Sequence, residues 1–367
     1  MSSEDQEPPG VVVLYNHSAT IMKGEPRDLI ADQEVVECAR AVAAALQRKG
    51  HRAVLVPIST GTGGSTNEVV ASALTAHPLT RASTDVEMAL IPYPPTEWVV
   101  FNLGEGLEGR LFEDARIAWA LEAMGYRFTG CDGDALSRSL NKARAKMLLA
   151  ERGVATPPWA VFRHPTEVTA GRLSHLTFPV IVKPIAEDAS LGIGPEAIVA
   201  DERATRERVA YIVETYRQSA LVEQFIVGRE FNVALWGNPV EVLPLAEVDF
   251  SAFANPLERI VSFAAKWEEG TFEYLNTPVR CPAPVDRRLA ARITRTAVRS
   301  WQAIGCRSYA RVDMRITDQG VPYVVEVNCN PDLSPEAGFY RAARAAGFSY
   351  EDMIEHILSL TTGSKNV

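Results

Sequence analysis

The chain has 367 residues, 47% of them apolar, which is enough for two or three buried cores at roughly 150 residues per domain and excludes wholesale disorder. Its 46 Asp and Glu outnumber 37 Lys and Arg, and a net charge of −9 argues against nucleic acid as the main partner, because phosphate backbones call for clustered cations. The five cysteines (Cys38, Cys131, Cys281, Cys306, Cys329) lack zinc or redox spacing, the first ten residues are acidic and polar, unlike a secretion signal, and no run reaches the ~18 apolar residues of a membrane helix. The expectation is a soluble, cytoplasmic protein with reduced thiols.

Residues 1–10 read as a disordered tail. Strand patterns follow at 11–15, 52–58 and 98–103, with helix patterns over 33–49 and 113–124 that stop at Gly50 and Gly125. Strands alternating with helices imply a small parallel α/β domain up to about residue 135. The stretch 59–85 is rich in Ser, Thr and Gly and carries no readable period. One long helix is expected over 134–152, and Thr156-Pro157-Pro158 then breaks the chain. Beyond it come a strand over 179–184, a loop over 186–195, a strand at 197–200, a helix over 202–217 and a strand over 220–225. The last third reads as strands at 229–236 and 241–249, an irregular patch over 251–284, a helix over 286–304, a hairpin, and helices near 336–346 and 350–361.

The hairpin is the most informative segment. Tyr309 to Ile316 and Val321 to Asn328 both alternate polar and apolar residues around the turn Asp318-Gln319-Gly320. Pairing Thr317 with Pro322 sets Asp313 opposite Glu326 and Arg311 opposite Asn328, with Val312, Met314, Ile316, Tyr323, Val325 and Val327 on the other face. Facing carboxylates repel, so such a face is either spread into solvent or built around a cation. Two carboxylates and an amide oxygen suit Mg²⁺ shared with a phosphate.

Other residues invite the same pair of readings. Lys183 ends an apolar strand and faces the loop Glu187 to Gly194, which could hold phosphates through charge and backbone N–H groups, although Gly-Lys-Ser/Thr is absent. Glu223 lies in an apolar strand and Glu230 follows it; either a nucleotide contact or a plain ion pair fits. Lys266 sits in the irregular patch, and Lys142 and Lys146, four apart, read as a solvated helix face. The histidines have no metal spacing, and neither a Gly-x-Ser-x-Gly elbow nor a dinucleotide fingerprint after the first strand is present.

Taken in order, Lys142, the strand ending in Lys183, the Ser190 loop, Glu223-Gln224-Phe225-Ile226, Glu230, Arg311-Val312-Asp313 and Glu326-Val327-Asn328 resemble the ATP-grasp ligases, with the D-alanine–D-alanine ligase family the nearest pattern, from about residue 98 to 361. The resemblance implies an ATP-grasp fold, α/β with an α+β C-terminal part: a parallel α/β domain at 11–135, a central subdomain at 136–226 and a C-terminal subdomain at 227–362. It implies Lys142, Lys183 and Lys266 on ATP phosphates, and Ser190 in a phosphate-covering loop. Glu223 with the backbone of Gln224, Phe225 and Ile226 would meet adenine, and Glu230 ribose. Asp313, Glu326 and Asn328 would bind Mg²⁺, two ions expected and Mn²⁺ an alternative. Arg311 would stabilise the acyl phosphate and the oxyanion, with Lys266 and Ser190 assisting catalysis.

The implied reaction joins a small-molecule carboxylate to an amine through an acyl phosphate, releasing ADP and phosphate, in an enzyme that does not engage membrane or nucleic acid and forms a homodimer. The departures are specific. The family's N-terminal Gly-Gly-x-Ser-x-Glu is replaced by Tyr15-Asn16-His17-Ser18, and its Gly-Ser-Ser loop by Asp188-Ala189-Ser190. Asp332 stands for the glycine near the oxyanion, Ala337 for the carboxylate-binding serine, and Arg315 for the apolar residue over adenine. A substrate pair other than D-Ala/D-Ala is the expectation. D-alanine–D-alanine ligase itself, an ATP-grasp kinase or carboxylase, and a non-enzymatic ATP binder are the alternatives.

Overall fold

The structure, a computed structural model, describes residues 8–18, 21–58, 85–106 and 111–361. Most of the expected tail and most of the 59–85 stretch lie outside these residues, though Gly10 is already part of a strand paired to Trp98.

Val11 to Leu14 is apolar at every position, the pattern of a strand covered on both faces. It lies in β1 (Gly10–Asn16), the middle of a parallel sheet between β2 (Ala53–Ile58) and β3 (Trp98–Leu103). Alternate residues go to opposite sides. Val11, Val13, Val99 and Phe101 share a core with the helices Leu29–Arg48 and Tyr350–Ser359, whereas Val12, Leu14, Val56 and Ile58 share one with the helix Glu113–Ala123.

Two antiparallel sheets follow. The first runs in the order β4 (Trp159–Phe162), β7 (Ala220–Gln224), β5 (Val180–Pro184), β6 (Ile198–Val199). Val180, Val182 and Val222 pack on Val209, Ile212 and Tyr216 of the helix Glu202–Tyr216. The alternation therefore turns Ile181, Lys183 and Glu223 the other way.

The second sheet centres on β8 (Arg229–Trp236), with β9 (Glu241–Val242) at its end. Its order is β11 (Val279–Arg280), β10 (Ala246–Val248), β8, β12 (Tyr309–Ile316), β13 (Pro322–Asn328). Phe231, Val233, Val312, Met314, Val324 and Val327 bury one face against Ile293, Ala297 and Trp301 of the helix Arg287–Ile304. The opposite face carries Glu230, Asn232, Arg311, Asp313 and Arg315. The irregular patch contains short helices at Phe263–Trp267 and Phe272–Leu275 as well as β10's partner β11.

Three expectations need correction. The strand over 241–249 is two short strands, Glu241–Val242 and Ala246–Val248, that pair with different parts of β8. The single helix over 134–152 is two, Gly133–Leu140 and Lys142–Glu151. Asn141 interrupts them with extended backbone, and its side chain accepts from the Arg144 N–H at 3.1 Å to start the second. Lys142 is thereby the first residue of a new helix. The hairpin register is as expected at Asp313–Glu326 and Arg311–Asn328, but Ile316, not Thr317, pairs with Pro322. A bulge opposite Asp313 and Met314 absorbs the extra residue. Val324, rather than Tyr323 and Val325, is then the core residue near the turn, and Val325 joins Glu326 on the cleft side.

Among the described residues no helix is long and apolar enough to cross a membrane.

Between β7 and β8, Gly228 adopts φ 154°, and a Cβ there would overlap the carbonyl oxygen of Ile316. The Gly228→Ala variant should lose about 3 kcal/mol or more of stability in urea denaturation, because neither backbone can move without breaking the β8–β12 ladder.

Candidate active site

The two antiparallel sheets enclose a cleft of about 860 Å³. Lys183, Glu223, Gln224, Phe225 and Ile226 line it from the first sheet, with Lys142 and Ser190 beside them. Glu230, Arg311, Asp313, Glu326 and Asn328 line it from the second, and Lys266 from the helix Phe263–Trp267. Every residue singled out from the sequence as a site residue thus faces the same space.

The centre of the cleft is an alternation of charges. Arg311 and Asp313 lie two apart on one strand face, and the guanidinium grips both carboxylate oxygens at 2.8 Å. Asn232 of β8, directly opposite Asp313, donates to it at 2.8 Å. Lys142 Nζ is 2.5 Å from Glu326 and 3.3 Å from Asp188, and donates to the Glu187 carbonyl at 2.6 Å. Burial alone would push the Glu326 pKa up, but the Lys142 ammonium overrides it and brings it down to about 2. Lys142 itself is held above the ordinary lysine value for the reciprocal reason: its burial is outweighed by Glu326 and Asp188. The Asn328 amide oxygen accepts from the Asn330 N–H at 2.8 Å.

The second charge cluster lies on the other wall. Glu223 is 1% exposed and takes Lys183 at 2.5 Å and Lys146 at 2.6 Å, with Lys146 also donating to Thr156 at 3.2 Å. Lys146 is 2% exposed, so the solvated face expected for the Lys142–Lys146 pair is overturned. The ammonium of Lys146 is taken up by a buried carboxylate of β7. Burial raises and the two ammoniums lower the Glu223 pKa, with the ammoniums prevailing. For Lys146 burial wins, and its pKa is lowered.

At the far end Arg315 lies opposite Glu230 in the β8–β12 ladder and ion-pairs with it at 2.7 Å. It also donates to the carbonyls of Ile226 at 3.0 Å and Arg259 at 2.6 Å, and its guanidinium stacks 4.9 Å from the Phe225 ring. Burial still leaves the Glu230 pKa raised, with Arg315 pulling against it.

Lys266 Nζ lies 4.9 Å over the Trp267 ring and has no carboxylate within ion-pair distance among the described residues. Burial first, and Arg311 second, lower its pKa.

The loop after β5 is clasped from several directions. Ala189 and Ser190 both have positive φ, 55° and 60°, a left-handed geometry that costs non-glycine residues about 1–3 kcal/mol each. The Ser190 hydroxyl donates to the Val261 carbonyl at 2.9 Å, and the Trp267 indole to that of Ala189 at 2.9 Å. From the N-terminal side Lys23 ion-pairs with Glu187, and Arg27 with Glu268 at 3.1 Å.

Asn232, Lys146, Arg315 as a partner of Glu230, and Lys23 were not read from the sequence as site residues. Asn232 had a signal, since it sits two residues after Glu230 in an alternating strand. The others depend on which elements face each other.

Glu223→Gln should leave two buried ammoniums without a counter-charge and cost about 3–5 kcal/mol at pH 7. A carboxylate with a lowered folded-state pKa stabilises above the unfolded value, here 4.5, and that contribution is lost as pH falls through the folded value. The gap between wild type and E223Q in urea denaturation should therefore narrow as pH falls below about 4.5.

A family model described as D-ala D-ala ligase C-terminus matches residues 148–359, more than half of the chain. A protein of Sinorhizobium fredii described as Uncharacterized protein y4sG is 36% identical over 270 residues, covering 73% of this chain and 76% of its own. A D-alanine–D-alanine ligase of Syntrophotalea carbinolica is 34% identical over 256 residues, 69% of this chain and 76% of its own. The crystal structure of the D-alanine–D-alanine ligase from Bacillus anthracis complexed with ATP superposes with a TM-score of 0.70 at 19% identity, covering 96% of this chain and 97% of that one. A ligase-family match over more than half of the chain and a matching fold across nearly the whole length lead to one assignment: the chain belongs to the D-alanine–D-alanine ligase family, ATP-dependent ligases of the ATP-grasp fold that use ATP and Mg²⁺.

Proposed function

We propose that this ligase joins a carboxylate to an amine through an acyl phosphate, and that the pair is amino-acid-like but not D-Ala/D-Ala. The observation that carries the substrate reading is the end of the cleft past Asn328. Asp332, Ser334, Glu336 and Ala337 line it. Asp332 uses both oxygens on Ser334, accepting from its N–H at 2.8 Å and its hydroxyl at 3.0 Å. Ala337, the N-cap of the helix Gly338–Ala345, offers no side-chain donor. A second D-alanine presents a carboxylate here by the family resemblance. The side chains at the three positions are thus a spent hydroxyl, a methyl group and a carboxylate, which receive such an anion poorly, and the cation lining this end is Arg341, so the recognition differs from a serine hydroxyl.

The hard-oxygen set Asp313, Glu326 and Asn328 fits Mg²⁺ in donor type, and the cation now balancing Glu326 is the Lys142 ammonium. Bound there, Mg²⁺ would supply charge neutralisation at the transferring phosphoryl group; two ions are our reading. In the same reading Lys142 turns from Glu326 toward phosphate, and Lys266 adds a second cation not committed to a carboxylate. Lys183 stays with Glu223 at the nucleotide wall. Arg311 holds Asp313 in place and faces the reacting carbonyl, where negative charge develops during amine attack. The Ser190 loop, clasped to Val261 and Trp267, excludes water that would hydrolyse the acyl phosphate. Glu230 takes ribose hydroxyls while Arg315 fixes its orientation and ties the adenine-facing end of β7 to β12.

Incubation with Mg-ATP and a panel of amino acids and amines should give ADP, phosphate and a new amide by mass spectrometry with at least one pair other than D-Ala/D-Ala. Turnover with D-alanine alone would return the substrate to the family norm, and AMP as product would end the acyl-phosphate reading. Glu326→Gln should lower turnover by about 100-fold or more, and unchanged turnover would remove Glu326 from the metal set.

Arg315→Met should raise the KM for ATP by about 10-fold or more with a much smaller change in kcat, and should shrink the preference for ATP over 2′-deoxy-ATP. An unchanged preference would show that Arg315 does not orient Glu230.

A further inference from the structure

Three of the five cysteines meet in space although no motif spacing joins them. Cys131 precedes the helix Gly133–Leu140, Cys306 follows the helix Arg287–Ile304, and Cys329 follows β13. Their sulfur atoms all lie within 4.8 Å of one another, and all three residues are buried. Cys306 Sγ is 3.6 Å from Cys329 Sγ. Three sulfurs bonded to one zinc at about 2.3 Å stand about 4.0 Å apart when the set is trigonal. The cluster therefore needs shifts of less than about 1 Å to close on a metal.

The Cys131 thiol now donates to the carbonyls of Arg307 at 3.2 Å and Tyr309 at 3.7 Å, and the Cys329 thiol to that of Ala135 at 3.9 Å, contacts that metal binding would replace, while two features favour a thiolate. The Arg307 N–H donates to Cys131 Sγ at 3.4 Å, and the eight-residue helix Gly133–Leu140 begins two residues after Cys131 with its positive end nearby. The Arg307 carbonyl, 3.2 Å from Cys131 Sγ, is a candidate for a fourth position. Thiolates are soft ligands and discriminate against Mg²⁺, which takes hard oxygens.

We propose that Cys131, Cys306 and Cys329 form a three-thiolate site for one thiophilic divalent cation, zinc foremost, distinct from the oxygen ligands in the cleft. On binding, three S–H groups release their protons to solvent, three metal–sulfur bonds form and no electrons are exchanged. The complex carries one net negative charge, offset by the Arg307 N–H and the helix end. Since Cys329 follows Asn328 directly, ligation anchors the end of β13 behind the cleft. The proposal is independent of the substrate reading and needs no turnover to test.

The full chain, kept reduced with a phosphine and in excess Mg²⁺, is titrated with Cd²⁺. One equivalent per chain should bind with sulfur-to-cadmium charge-transfer absorption. The band should vanish in Cys131→Ser and Cys306→Ser and persist in the Cys38→Ser/Cys281→Ser double variant. In chelator competition Cys306→Ser should weaken zinc binding on the order of 100-fold or more. Zinc-edge absorption on the loaded wild type should show three sulfurs at about 2.3 Å, and this decides the matter if the serine variants fail to fold. No stoichiometric uptake, a band unchanged in Cys131→Ser or Cys306→Ser, or a nitrogen and oxygen shell alone would overturn the site and leave the thiols as packing groups.

Discussion

The cleft depends on keeping two facing carboxylates, Asp313 and Glu326, on neighbouring strands without losing the sheet. Unbalanced, they would repel across the β12–β13 ladder. The structure resolves this by giving each a different cation and its own supporting contact. Asp313 has the two-pronged grip of Arg311 and the amide of Asn232, while Glu326 has Lys142, the first residue of the helix Lys142–Glu151. Asp313 is therefore fixed from within its own sheet. Glu326 is balanced by a group on a separate element, which metal could replace. That asymmetry suits a site in which a mobile charge arrives with the nucleotide.

The same logic organises the wall proposed for the nucleotide. Glu223 binds two lysines where one would neutralise it, so the cluster Lys146–Glu223–Lys183 retains a net positive charge in a nearly dry setting. A buried net charge is costly unless a counter-ion can reach it. The proposed phosphate-bearing substrate provides one. Lys23 ties the loop after β5 to the N-terminal segment through Glu187, and Arg27 ties the same segment to Glu268 beyond the helix Phe263–Trp267. The strained backbone at Ala189 and Ser190 lies just after Glu187 in the same loop.

Much of this was legible from residue order. The period of β12 and β13 was sufficient to set Asp313 against Glu326, and the apolar run at Val11 to Leu14 signalled a doubly covered strand. What could not be read was relational. A period-2 pattern does not disclose a bulge, so the turn-side register slipped by one residue at Val324 and Val325. A 3.6-residue period shows that Lys142 and Lys146 share a helix face, but not that β7 carries a carboxylate opposite it. Arg315 was visible as a departure from the family pattern, yet its pairing with Glu230 needed the β8–β12 register. The cysteine trio needed three separate element ends to converge. The nucleotide side of the family was therefore readable as a motif series, while the substrate side was readable only as missing residues.

The chemical order proposed for this site is phosphorylation of the carboxylate followed by attack of the amine. A donor acid labelled with ¹⁸O in its carboxylate, turned over with Mg-ATP and the amine with which it yields ADP, reports on that order directly. One labelled oxygen in the released phosphate is the expected result. Phosphate free of label, with ADP still formed, would contradict an acyl phosphate and the roles assigned here to Arg311 and the hairpin.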